Sequence, residues 1–149
     1  MKVPEFMFAV INPMMKMFLR SPVHGLWSKG IMLITFTGRN SGRQFTTPVR
    51  YVETDGVVRC FTAKENQWWR NLRGGAEVVL RVRGEDGRYS AIAIYEDADA
   101  IRKWLSFYLG VYPQDAAYHD IRLNKDKSLN EGDFEEALKH AVVVEARPA

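Results

Sequence analysis

Apolar residues follow two different periods along this chain. Phe6, Val10, Ile11, Met14, Met15 and Phe18 recur near every 3.6 positions, which predicts an oily helix over 4–20, broken or kinked at Asn12-Pro13. Ser21-Pro22 and Gly25 then mark a loop. From Ile31 the pattern turns to strands. Ile31 to Thr37 is a β-branched and aromatic run, and Thr46 to Glu53 and Val57 to Ala63 flank Thr54-Asp55-Gly56. Asp-Gly between two such runs predicts a hairpin. Glu65 to Arg73 reads as a short helix closed by Gly74-Gly75. Val78 to Arg83 alternates apolar residues with arginine, Gly84 to Gly87 turns, and Tyr89 to Tyr95 returns as a second hairpin.

Beyond Tyr95 the helical period comes back. Asp97 predicts a cap for a helix to about Leu109 that sets Ile101, Trp104, Leu105 and Tyr108 on one face. Ser128 with Glu131 three residues later reads as a capping box for a helix to about His140, and Ala141 to Glu145 as a last strand. Six strands, mostly hairpin-linked, with helices at the start, middle and end predict a mainly β architecture: an antiparallel barrel decorated by helices, in one domain spanning 1–149.

Composition narrows the class. At 149 residues, 46% hydrophobic, the chain is long enough for one useful core, and eight Phe, six Tyr and four Trp exclude wholesale disorder. No uninterrupted apolar run reaches the roughly 18 residues of a spanning helix, and the start lacks the layout of a secretory signal. Cys60 is the single cysteine, so neither an internal disulfide nor a thiolate metal site is expected, in keeping with a reducing cytoplasm.

The net charge of +3 hides an asymmetry. Residues 1–83 carry 13 Lys/Arg against 5 Asp/Glu, and residues 84–149 carry 8 against 13. Between Glu5 and Glu53 there is no acid, while Lys16, Arg20, Lys29, Arg39, Arg43 and Arg50 all fall in that window. Such a field favours an anionic partner, or else an acidic second half folded against a basic first half. The apolar face of 4–20 with Lys2, Lys16 and Arg20 suits a peripheral membrane surface, and equally a cover over a barrel or a dimer seam. No recognition helix or RNA motif accompanies the basic window, so nucleic acid is not an expected partner.

Candidate chemistry concentrates in the segment from Thr37 to Pro48. Arg39, Asn40, Ser41, Gly42, Arg43, Thr46 and Thr47 combine two guanidiniums, several polar side chains and backbone N–H groups, the ingredients of a phosphate grip in which backbone donors form a nest. The spacing of a P-loop is absent. Trp68 and Trp69 are adjacent and must point apart on a helix, either both into core or one toward a flat ligand. His24, His119 and His140 share no ligand spacing, no serine sits in a nucleophile elbow, and Cys60 reads as packing. Tyr108, Tyr112 and Tyr118 gather near Gly110 and Pro113, either as half-buried packing or as a substrate-pocket wall.

Thr35-x-Thr37-Gly38-Arg39-x-Ser41-Gly42 followed by Thr47-Pro48-Val49-x-Tyr51 resembles the deazaflavin-dependent nitroreductase family, a branch of the flavin/deazaflavin oxidoreductases with the FMN-binding split β-barrel fold. Trp68 or Trp69 with Asn71-Leu72 and then Glu77-Val78, Asn12-Pro13 with Arg20-Ser21-Pro22, and the closing Val142 to Glu145 are similar to further family segments. The resemblance covers nearly the whole chain. It implies an oxidoreductase that passes a hydride from the reduced deazaflavin coenzyme F-420 to a quinone, nitro compound or other activated acceptor. FMN on the same barrel, or a non-catalytic flavin-, haem- or lipid-binding protein, are the alternatives.

By that resemblance Arg39, Ser41 and Arg43 grip the cofactor phosphate with help from Asn40, Gly42, Thr46, Thr47 and Pro48. Thr62, Ala63 and Lys64 lie along the tricyclic ring, with Trp68 or Trp69 nearby, while Tyr112 and Tyr118 border the acceptor. It also implies a homodimer. This chain departs from the family in carrying Asn40 where Lys is frequent, Phe45 where Arg is frequent, and a short Ala63–Gln67 connection without a His-Pro. The missing cations bear on how the coenzyme's acidic polyglutamate tail is held.

Overall fold

The computed structural model describes residues 30–149; the helix expected over 4–20, and the membrane contact read from it, lie outside them. Six strands form the body: β1 (Ile31–Thr37), β2 (Gln44–Thr54), β3 (Val57–Ala63), β4 (Ala76–Val82), β5 (Glu85–Ile94) and β6 (Ala141–Pro148). They close into an antiparallel barrel in the order β1-β2-β3-β6-β5-β4, with β4 pairing back onto β1. This is the six-stranded barrel that the hairpin pattern predicts.

Both tight hairpins turn on two residues at positive φ. Asp55 (φ 52°) with Gly56 (φ 78°) joins β2 to β3, as the Asp-Gly signal predicts. Arg83 (φ 51°) with Gly84 (φ 83°) joins β4 to β5. The second turn therefore falls earlier than the Gly84–Gly87 reading, and Gly87 sits inside β5 opposite Leu80. A two-residue turn of this twist matches the twist of the strands, which favours it over a longer loop.

Alternation along every strand divides inside from outside. Met32, Ile34 and Phe36 of β1 meet Val78, Leu80 and Val82 of β4, Ala91 and Ala93 of β5, and Val142, Val144 and Ala146 of β6 in the barrel core. A second core lies against Val52, Phe61, Ala141 and Val143. It is covered by α1 (Ala98–Val111), a 3₁₀ segment η2 (Pro113–His119) and α2 (Glu131–Leu138). Asp97 caps α1 by accepting from the Ala100 N–H at 3.1 Å, as predicted, and α1 runs on past Leu109 to Val111.

Two helix readings are corrected. The helix expected over 65–73 is a 3₁₀ segment, η1, confined to Trp68–Leu72. It plugs one mouth of the barrel, and that position explains why both adjacent tryptophans are buried. Trp68 packs on Phe36 from one wall (5.6 Å between centroids), and Trp69 on Tyr95 from another (5.1 Å). The cap of α2 is Asn130, whose Oδ1 accepts from the Asp133 N–H at 2.9 Å. Ser128, expected in that role, is held by Asp126 through both its N–H (3.0 Å) and its hydroxyl (2.5 Å).

Candidate functional site

The ladder registers leave an opening in the barrel wall. Residues 44–50 of β2 pair with β1, but β2 pairs with β3 only from Tyr51 to Thr54. Residues 61–63 of β3 pair only with β6. Thr46, Thr47 and Pro48 thus stand on one lip of a gap, and Thr62 and Ala63 on the other. Pro48, which has no N–H, is tolerated there because a one-sided strand has fewer ladder bonds to lose.

Register also puts the connections together. The end of β1, the start of β2, the end of β3 and η1 all lie at this mouth. The β1–β2 connection closes with the Gly38 N–H donating to Arg43 O and the Gly42 N–H to Gly38 O, both at 2.8 Å. Gly38 is needed because a Cβ there would fall 2.8 Å from Ser41 Oγ and 2.9 Å from the Phe45 ring. The Arg39 N–H donates to Asn71 Oδ1 at 2.9 Å, Asn71 Nδ2 donates to Trp68 O at 2.9 Å, and the Arg39 guanidinium donates to Arg73 O. Loop and η1 form one unit.

Between them lies a cleft of about 390 Å³ lined by Gly38, Arg39, Asn40, Ser41, Phe45, Gln67, Arg70, Asn71 and Arg73. Among the described residues three guanidiniums line it and no carboxylate does. Four of the loop's backbone donors are committed within the protein. The N–H groups of Gly38, Arg39, Gly42 and Arg43 are spent on Arg43 O, Asn71 Oδ1, Gly38 O and Ser41 Oγ. The cationic character of the cleft therefore comes from side chains.

The other expected residues distribute as follows. Arg43 stacks over the Phe45 ring at 5.4 Å and does not line the cleft, and Gly42 (φ 71°) is at the open tip of the loop. Thr46, Thr47, Thr62 and Ala63 are buried on the lips. The Thr46 hydroxyl pairs with that of Thr35 at 2.8 Å, and Thr62 Oγ1 accepts from Asn66 Nδ2 at 2.9 Å. The Lys64 N–H donates to His140 O at 2.7 Å.

Tyr112 lies at the opposite end of β1. Its hydroxyl abuts Gly30, and its ring is covered by the Arg50 guanidinium at 4.4 Å. Arg50 forms a two-pronged pair with Asp115 (3.0 and 3.3 Å), which also accepts from the Tyr108 hydroxyl at 2.7 Å. Burial first, and then Asp115, push the Tyr108 hydroxyl far above its ordinary value. Tyr118 is half-buried beside His119. His119 and His140, distant in sequence, line one cavity of about 480 Å³ with Glu65, Asp120, Asp133 and Glu136. Among the described residues no group of His, Cys, Asp and Glu has the arrangement to hold a metal ion. Cys60 is buried in the barrel, and burial alone pushes its thiol up to about 12, so it remains a thiol at neutral pH.

Sequence reasoning missed Gln67, Arg70 and Arg73. The available signal was their spacing of three, which a 3₁₀ turn stacks on one face and an α-helix does not.

A closed antiparallel barrel whose cationic cleft, beside a gap in its wall, is lined among the described residues by no carboxylate offers a site for an anionic ligand. Comparison with known proteins specifies the kind. The model of the F420H(2)-dependent quinone reductase family matches residues 14–129, and the chain belongs to that family. It is accordingly a deazaflavin-dependent oxidoreductase. No curated protein matches the chain. Among solved structures, one described as a domain-swapped dimer is similar at TM-score 0.52 with 17% identity, covering 89% of this chain and 98% of that one. An FAD- and haem-binding protein from Mycobacterium smegmatis is similar at TM-score 0.51 with 14% identity, covering 87% and 68%. A protein of unknown function from Agrobacterium tumefaciens is similar at 0.53 with 17% identity, covering 98% and 59%. At these identities the likeness is one of fold.

Proposed function

We propose that the protein reduces a quinone, or another activated planar acceptor, with the deazaflavin coenzyme seated across the gap and its phosphate in the Arg39 cleft. The observation that carries this reading is the gathering of Arg39, Arg70 and Arg73 around one cleft that no carboxylate of the described residues lines. In that surrounding a phosphate gains charge-assisted, two-pronged hydrogen bonds. When bound, the reduced coenzyme supplies the hydride, and the protein supplies placement and shelter.

Each part of the chain has a share in that placement. Arg39, with Asn40 and Ser41, holds the phosphate, while Arg43 adds to the field from the rim. Along the lips, backbone groups of Thr46–Pro48 and Thr62–Lys64 that lack a ladder partner offer hydrogen bonds to the polar edge of a ring. Trp68 and Trp69 keep the barrel mouth rigid beneath it. Tyr112 and Tyr118 border the acceptor from the helical side and donate to the oxygen that gains charge. Their separation from the Arg39 loop fits an elongated ligand whose reactive ring lies away from its phosphate.

The reading includes a homodimer, supported by the similar fold described as a domain-swapped dimer and by the exposed apolar side chains Ile92, Phe107 and Val111. Sedimentation equilibrium tests it, and a monomer across micromolar concentrations would remove it. It also includes a cytoplasmic location, supported by the lone buried thiol. Membrane contact through residues 4–20 rests on the sequence pattern alone, and co-flotation with anionic vesicles tests it.

The deciding experiment is a pair of titrations, deazaflavin coenzyme and FMN, followed by tryptophan fluorescence, then turnover with a quinone. Tight deazaflavin binding with quinone-dependent oxidation of the reduced coenzyme is the expected result. Binding of FMN alone would move the protein to flavin chemistry on the same barrel. Binding without turnover of any acceptor would make it a carrier.

A further inference from the structure

The gap in the barrel wall opens where the β2–β3 ladder stops. Pairing ends at Tyr51 opposite Cys60, so Arg50 and Phe61 are the first residues to face each other across the gap. Tyr51 and Cys60 point into the barrel core, and alternation turns Arg50 and Phe61 outward, toward the helical cover. Side chains join the two lips there in place of ladder bonds. Arg50 donates to Asp115 of η2 from Nε (3.0 Å) and Nη2 (3.3 Å), and Asp115 accepts from the Tyr108 hydroxyl of α1 at 2.7 Å. The Tyr108 ring in turn stacks on Phe61 at 4.3 Å and 5°.

This strap leaves Arg50 with a donor to spare. Asp115 takes Nε and Nη2, while Nη1 donates no hydrogen bond among the described residues. The Arg50 side chain is 25% exposed, against 7% for Arg59, which is closed in by Glu145, Thr54 and Trp104. Its hydrogen bonds to Asp115 outweigh burial and push its pKa further up, so the charge is permanent. The Tyr108 hydroxyl, kept protonated by burial and by Asp115, remains a donor to that carboxylate. Two contacts therefore orient the guanidinium, the two-pronged carboxylate and the Tyr112 ring at 4.4 Å. A cationic donor held in place at the closed end of the gap suits an oxygen that gains negative charge.

We propose that Arg50 selects the acceptor by donating from Nη1 to a quinone carbonyl oxygen, and that Asp115, with Tyr108, is the positioning residue that aims it. This rests on the reductase reading above, in which Tyr112 borders the acceptor. A quinone that takes hydride from the reduced coenzyme gains two electrons and one hydrogen, leaving the coenzyme oxidised. The new charge collects on one quinone oxygen, and a proton from water completes the hydroquinone while Arg50 stays protonated. An acceptor that is cationic and has no oxygen gains nothing from this contact and is repelled by the guanidinium.

The test compares reduction of a water-soluble benzoquinone and of an oxygen-free, cationic phenazinium dye by the coenzyme-loaded protein, over the rate without protein. The variants are Arg50→Gln, Asp115→Asn, and the charge-free pair Arg50→Gln/Asp115→Asn, which strands no carboxylate if the single arginine variant fails to fold. Loss of Arg50, alone or in the pair, is expected to lower the quinone kcat/KM about tenfold or more, chiefly through kcat. The dye's kcat/KM should stay within about threefold or rise, and the coenzyme Kd should stay within about threefold. Asp115→Asn should lower the quinone-to-dye ratio by about threefold or more, which a merely structural role would leave unchanged. Equal loss for both acceptors, or an undiminished quinone rate in a folded variant, would overturn the assignment of Arg50 and leave the reductase reading standing. A wild type that binds the coenzyme yet reduces neither acceptor would overturn both.

Discussion

The backbone N–H of Arg39 donates to Oδ1 of Asn71 at 2.9 Å, joining a hairpin loop to a 3₁₀ segment 32 residues later in the chain. Asn71 completes the link by donating from Nδ2 to Trp68 O. A side chain that satisfies two backbone groups at once holds the geometry of the cleft as well as its stability. Asn71→Ala is expected to cost roughly 1–2 kcal/mol in denaturant unfolding. It should also weaken coenzyme binding at temperatures where the variant is fully folded. Undiminished binding in the folded variant would show that the loop keeps its shape without η1.

The two loop arginines are not equivalent. Arg39 lines the cleft, whereas Arg43 lies over Phe45 outside it. Arg39→Ala is expected to raise the coenzyme Kd about tenfold, the value of a charge-assisted bond, and Arg43→Ala by about threefold or less. The double variant should remain folded. Equal effects of the two singles would assign the phosphate to the loop tip.

Gly30 and Gly56 share a φ of 78° but differ in surroundings. A Cβ on Gly56 meets nothing within 4 Å, while one on Gly30 would stand 2.3 Å from the Tyr112 hydroxyl. Tyr112 cannot easily yield, because Arg50 covers its ring and Asp115 holds Arg50. Gly56→Ala is expected to cost about 1 kcal/mol for the left-handed backbone, and Gly30→Ala roughly 1–3 kcal/mol more for the clash. Chemical denaturation of the two variants measures the difference directly.

On the helical side of the barrel, Arg59 is buried between Trp104, 3.4 Å from its ring centroid, and Glu145, at 2.8 Å. Burial pushes the Glu145 carboxyl up, but hydrogen bonds from Arg147 and Arg59 outweigh it and hold the group below its ordinary range. A carboxyl with a lowered folded pKa stabilises above its unfolded value near 4.3. That contribution is lost as pH falls through the folded value. Wild-type stability should therefore drop from about pH 4.5 downward, and Glu145→Gln should be less stable at pH 7 with a shallower acid limb. Arg59→Ala, which leaves the carboxylate to Arg147 alone, is expected to cost roughly 1.5–3 kcal/mol at pH 7. Unfolding midpoints between pH 3 and 7 decide both.

Much of this architecture was legible from local pattern. Strand limits, the Asp55-Gly56 turn and the Asp97 cap follow from residue chemistry within a few positions, where tertiary context only confirms local preference. The errors fell where two local solutions compete. Ser128 and Asn130 both suit a cap, and the choice went to Asn130 because Asp126 had already taken Ser128. Arg83-Gly84 and Gly84–Gly87 both suit a turn, and the β4–β5 register decided between them.

Periodicity and turn chemistry, which act over a few residues, were enough to define six antiparallel strands, their helical cover and the Thr37–Pro48 segment as the place to look for an anion grip. What folding alone decided is which charges meet. Arg50 and Arg59 found acids from the second half of the chain, while Arg39 found Arg70 and Arg73 from a 3₁₀ turn at the barrel mouth. Electrostatic pairing depends on distance in space, and closing the barrel makes residues 32 positions apart nearest neighbours.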